Sequence, residues 1–158
     1  MSNYKPLLMS SLIAVLTLSG CSTRVTSADL VGTYKSECLQ CNAYVKRNLG
    51  KEILMLKSDG TYIQTYTPKR GKPIRVTGGW VLDTSFGEPI VHISNMMYIL
   101  NGLGRFNSPA QKLDGWLPVS KSGNSILLDV NDDLEQRYRK LGGSGHLGQK
   151  SADNPESK

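Results

Sequence analysis

The sequence predicts a small all-β domain, an antiparallel meander of about eight strands that closes into an up-and-down barrel. Three observations carry this expectation. Short apolar runs are separated by turn-forming residues about every eight to twelve positions. Asp59-Gly60 sits between two alternating runs, a strong short-range hairpin signal. The chain has 158 residues, enough for one domain and no more.

The first strand is expected over 30–35. Strands over 52–57 and 61–66 flank Ser58-Asp59-Gly60, where glycine supplies the positive φ that the turn requires. Alternation puts Tyr62, Gln64 and Tyr66 on one face and Thr61, Ile63 and Thr65 on the other. A basic turn at 68–73 leads into a strand over 74–83, which contains Gly78-Gly79-Trp80, and then one over 89–96. A loop over 97–114, rich in Gly, Asn and Pro, precedes strands over 115–120, 125–130 and 134–141. The last segment also fits helical spacing through Leu134, Tyr138 and Leu141, but alternation through Leu134, Gln136, Tyr138 and Lys140 favours a hairpin turning at 131–133. Residues 42–50 fit either a helical turn or a loop. Closure into a barrel abolishes sheet edges; a two-sheet β-sandwich is the alternative.

Ahead of this domain, the terminal amine and Lys5 precede an uncharged apolar run over 7–18. Such a run is a signal-peptide core, shorter than the roughly 20 apolar residues that span a bilayer. It ends in Leu18-Ser19-Gly20-Cys21, which resembles the lipobox of bacterial lipoproteins at all four positions. The resemblance implies cleavage before Cys21, diacylglycerol on its thiol and acylation of the new amino group. With Ser22 following rather than Asp, it also implies sorting to the outer membrane, facing the periplasm. The expected organisation is a signal peptide over 1–20, a lipidated tether over 21–28, the β-domain over 29–141 and a polar, Gly-rich disordered tail over 142–158.

The formal charge is +6, and after Cys21 there are 18 Lys and Arg against 13 Asp and Glu, a net of +5. Lys69, Arg70, Lys72 and Arg75 form a modest cluster, but no dense basic stripe or recognition element points to nucleic acid. The remaining cysteines, Cys38 and Cys41, are three apart, and in an oxidising compartment a structural disulfide is their default state. A soft-metal site and a redox-active pair are the alternatives.

Gly32-Thr33-Tyr34, Cys38-Leu39-Gln40-Cys41, Leu54-Met55-Leu56 with Asp59-Gly60-Thr61-Tyr62, and Gly79-Trp80 occur in an order that resembles the NlpE family of outer-membrane lipoproteins. That resemblance covers about a third of the chain. It implies a small barrel of lipocalin-like form and a role in copper homeostasis or envelope-stress sensing. The residues between the two cysteines differ from the family's Pro-Cys-Ala-Asp-Cys pattern.

For copper the candidate ligands are Cys38 and Cys41, with Met55, His92, Met96 and Met97 as additions. His146, in the tail, is a weaker candidate. Enzyme motifs are absent: no Gly-x-Ser-x-Gly elbow, no His-Glu-x-x-His and no phosphate loop. Trp80 and Trp116 each follow a glycine, and with Tyr62 they are the candidate walls of a ligand cavity. The expected function is therefore a non-enzymatic, lipid-anchored envelope protein that binds a ligand or protein partner. Copper handling through Cys38 and Cys41, or a structural accessory role in an envelope or secretion assembly, are the alternatives.

Overall fold

A computed structural model describes residues 24–100, 103, 105–107 and 112–142. Cys21, the expected signal peptide, His146 and all but the first residue of the expected tail lie outside them. Eight antiparallel strands pair in sequence order, and β8 closes back on β1. The strands are β1 (Gly32–Cys38), β2 (Lys51–Leu56), β3 (Thr61–Thr67), β4 (Ile74–Asp83), β5 (Ile90–Met97), β6 (Lys112–Ser122), β7 (Ser125–Asn131) and β8 (Gln136–Lys140). The architecture is a closed, lipocalin-like up-and-down barrel rather than a sandwich.

Two short helices flank β1. Across the end of the expected tether and the expected start of the first strand, α1 (Ser27–Leu30) forms because Thr26 and Asp29 build a reciprocal capping box, and the strand begins at Gly32 instead of residue 30. Leu30 is fully buried, and the Tyr34 hydroxyl donates to its carbonyl at 2.6 Å. The second helix, α2 (Ala43–Asn48), is capped by Asn42, whose Oδ1 accepts from the Val45 amide at 3.0 Å. The turn of β2–β3 forms at 58–60 as expected, with Gly60 at φ 77. The last segment is a strand, and its turn falls at 132–135 in place of 131–133, so the strand begins two residues later than its alternation suggests.

Tyr62, Gln64 and Tyr66 all face inward, as alternation requires. With Tyr34, Leu54, Leu56, Trp80, Ile93, Leu117 and Tyr138, Tyr62 belongs to one continuous core. Gly78 makes room for it: a Cβ there would lie 2.5 Å from the Ser94 carbonyl oxygen and 2.7 Å from the Tyr62 ring.

The barrel wall is not uniform. β4 pairs with β3 from Ile74 to Gly79, then with β5 from Trp80 to Asp83. β6 likewise pairs with β5 from Lys112 to Pro118 and with β7 from Val119 to Ser122. Between these switches, the end of β5 bulges after Ile93, with Asn95 at φ 60, and turns into the barrel mouth. Met97 and Ile99 there pack on Tyr66 and Val76, and Leu100 packs on Cys41 and Val45. This turning explains why Met96 and Met97, adjacent in sequence, are both buried where simple alternation would bury one.

Replacing Gly78 by alanine is expected to cost about 1–3 kcal/mol of stability through overpacking against Tyr62 and β5. A urea midpoint unchanged from the parent protein would show that this close approach does not constrain the core.

Candidate functional site

At the centre of the barrel lies a polar cluster that the sequence reading missed. Glu52, Gln64 and Tyr138 are buried, and Gln64 bridges three strands. Its Nε2 donates to Glu52 Oε1 at 2.6 Å and to the Met97 carbonyl at 2.7 Å, and its Oε1 accepts from the Met97 amide at 2.8 Å. Tyr138 donates to Glu52 Oε1. Burial raises the Glu52 carboxyl above the usual glutamate range, although the hydrogen bonds from Tyr138, Gln64 and Ser36 oppose that shift. Burial, together with the neighbouring Glu52, pushes the Tyr138 phenol well up. The signal was present in the alternation: Glu52 and Leu54 share a face, so burying one implicates the other.

The expected cavity residues separate across the wall. Tyr62 is fully buried, its hydroxyl sharing one proton between the Ser94 and Asn95 carbonyls, each 2.9 Å away. Burial pushes its phenol up to about 12, with the Asp114 carboxylate adding to the effect. Trp80 also points inward and donates from Nε1 to the Lys57 carbonyl at 2.9 Å. Trp116 instead stands on the outer face and is 58% exposed. Its neighbours Gly115 and Leu117 take the inward positions of β6, which leaves Trp116 the outward one.

Outside, Val81, His92 and Trp116 lie opposite one another across β4, β5 and β6. The His92 ring sits 3.7 Å from Trp116, centre to centre, and tilted by 46°. His92 Nε2 is 3.7 Å from Asp83 Oδ2 and has no hydrogen-bond partner among the described residues. Ser85 holds the Asp83 carboxyl below its ordinary range through its hydroxyl and amide, and His92 contributes further. Beside this row runs a groove of about 370 Å³, lined by Gly79, Trp80, Val81, Ser94, Asp114 and Trp116 among others. Ser94 Oγ closes its floor by accepting from the Gly79 amide at 3.0 Å. Asp114 uses Oδ1 to accept from the Asn95 amide at 3.1 Å. An exposed indole beside a carboxylate and a narrow cleft can take an apolar or aromatic side chain together with a hydrogen-bond donor.

Cys38 and Cys41 form a disulfide, with Cα atoms 5.5 Å apart. They pack with Val45, Leu49 and Leu100, so the bridge fastens α2 and the β5 extension over the barrel mouth. Met55 is exposed on β2, while Met96 and Met97 belong to two different core clusters. Among the described residues, no group of three or more His, Cys, Asp or Glu side chains is arranged to hold a metal ion. Copper binding by a thiolate pair would first require reduction of the Cys38–Cys41 bridge. No helix among the described residues is long and apolar enough to cross a membrane.

This combination defines a closed β-barrel with a packed polar-and-aromatic centre and an external aromatic groove. No protein-family model, curated protein or solved structure matches the chain.

Two measurements follow from this geometry. Glu52 keeps its proton in the folded state to a higher pH than in the unfolded chain. Stability should therefore fall as pH rises above the usual glutamate value, by up to roughly 1.4 kcal/mol per pH unit, and level off once the folded group ionises. Glu52→Gln should abolish that fall; a parallel profile for the variant would assign the slope elsewhere. Trp116→Phe should remove the acrylamide-quenchable fluorescence and leave the Trp80 emission shielded.

Proposed function

We propose that this chain is a non-enzymatic lipoprotein of the bacterial envelope, held by lipid on Cys21 at the periplasmic face of the outer membrane, and that it docks a protein partner on the outside of its barrel. The contrast between interior and exterior carries the docking part of this reading. Tyr34, Tyr62 and Tyr138 are excluded from solvent inside the wall, whereas Val81 and Trp116 are exposed beside a groove outside it. Large side chains exposed together beside a cleft mark interaction surfaces more often than scattered single ones do.

The anchoring part rests on the lipobox resemblance and agrees with the direction of the chain. Arg24 lies at the end of the barrel where β1 begins, and its guanidinium donates to Thr84 Oγ1 in the β4–β5 turn at 3.0 Å. Cys21 is three residues earlier, so a lipid on it would hold that end within roughly 10 Å of the bilayer. Phe86, in the same turn, and Leu141, after β8, are exposed at that end and suit a headgroup boundary. The groove then faces sideways along the membrane, and the mouth closed by α2 faces away from it.

Cys21→Ser is the direct test of anchorage. The variant should lose the acyl mass of the native protein and move from the membrane fraction to the soluble fraction. A variant that stays with the membrane would overturn lipid anchorage at this residue.

A further inference from the structure

The change of partner in β4 leaves part of a strand edge open. From Ile74 to Gly79 this strand is paired with β3 on one side, and among the described residues no strand pairs with it on the other. The Trp80 amide donates to the Gly60 carbonyl on the β3 side, so the alternate residues Arg75, Thr77 and Gly79 turn their backbone groups the other way. Side chains of β5 stand in for a ladder at two of these positions. Ser94 Oγ accepts from the Gly79 amide and donates to the Gly79 carbonyl at 3.3 Å, and Asn95 Nδ2 reaches the Thr77 carbonyl at 3.5 Å. Among the described residues, no hydrogen bond of β5 reaches the N–H or C=O of Arg75 or the N–H of Thr77. β6 has a comparable lapse between Lys112 and Pro118, but without the same charge.

The surroundings of the β4 edge are basic. Lys69, Arg70 and Lys72 are exposed in the turn that leads into it, and the Arg75 side chain is exposed on the strand itself. Between Cys38 and Leu82 the acids are Glu52, which is buried, and Asp59, which is in the turn at the opposite end. On the elements packed beside the edge, the acid nearest in the register is Asp114, already accepting from the Asn95 amide. At its other end the edge runs into the external groove, whose lining includes Gly79.

From the coincidence of open ladder positions, uncompensated cations and an adjoining groove, we propose that this edge is a β-augmentation site. Its occupant is an extended acidic segment of a partner protein, which adds a short strand beside Arg75 and Thr77 and places a side chain in the Trp116 groove. This deepens, and rests on, the reading of the protein as a docking body; it does not depend on the lipid. Charge argues against a second copy, because pairing two such edges would bring the Arg75 side chains of both copies onto one short ladder with no acid between them. The chain's own last residues, 143–158, carry two acids and two lysines and so lack the net negative charge that the edge favours.

The test uses the detergent-solubilised full chain and a short blocked peptide alternating glutamate and valine. Amide exchange at Arg75 and Thr77 should slow by at least about tenfold when the peptide is saturating. A lysine-for-glutamate peptide, and a version N-methylated on the side that faces β4, should both fail to protect these amides. Arg75→Glu should weaken the peptide by roughly tenfold, and Thr77→Pro, which removes an N–H that the β3 ladder does not use, by a similar factor. The N-methylated peptide keeps the test decisive if the proline variant folds poorly. Peptide binding that leaves Arg75 and Thr77 unprotected would overturn the edge while leaving a docking role at another surface. Equal binding of the N-methylated peptide would reduce the contact to charge alone and overturn strand addition. Protection without any peptide that disappears when the chain is cut after Gly142 would make the chain's own tail the occupant and overturn the partner.

Discussion

The side-chain amide of Gln64 is the pivot of this barrel. It exchanges two hydrogen bonds with the backbone of Met97, as a neighbouring strand would, and reaches Glu52 with the same nitrogen. A buried amide of this kind must find partners or lose the free energy of its hydration, so burial of Gln64 commits β5 to turn inward and meet it. The rest follows from that turn. Met97 and Ile99 are drawn against Tyr66 and Val76, Leu100 reaches the Cys41 corner, and the mouth is closed by chain rather than left as a cavity. Because β5 parts from β4 at this point while staying paired with β6, β4 keeps one side of its ladder open among the described residues.

Much of the architecture was legible in the amino-acid order. The Asp59-Gly60 hairpin, the inward row of Tyr62, Gln64 and Tyr66, and the choice of strand over helix for Gln136–Lys140 all follow from period-two alternation and turn chemistry. The disulfide between Cys38 and Cys41 agrees with their spacing. The capping of α1 was legible too, in Thr26 and Asp29, but the polar composition around it reads as tether until the capping box is noticed. The outward placement of Trp116 was available from its alternation with Leu117, which the size of an indole and the preceding glycine outweighed.

What stayed hidden was non-local. No local pattern says that the Tyr138 hydroxyl donates to Glu52, 86 positions away, or that Gln64 finds the Met97 backbone 33 residues away. The bulge at Asn95 hid in the same way. It converts an alternating strand into one that buries two successive methionines, whereas the composition of the stretch after it predicts the start of a long loop. β6 accordingly begins at Lys112, earlier than its apolar pattern suggests, because Lys112 and Leu113 pair with Met97 and Met96 while staying exposed.

The ring is completed by Tyr34 beside Lys140, and so by the first strand meeting the last. A chain arranged in this way has no partial product that resembles a smaller finished barrel. Until the final residues of β8 are available, β1 presents a bare ladder, and each new hairpin merely moves the second bare ladder along. Contacts of such sequence separation form slowly, and they leave an intermediate with two sticky margins for as long as synthesis keeps the two ends apart. The protein is therefore most vulnerable to aggregation before its last strand arrives, and a helper that shields β1 during that interval would be of most use to it.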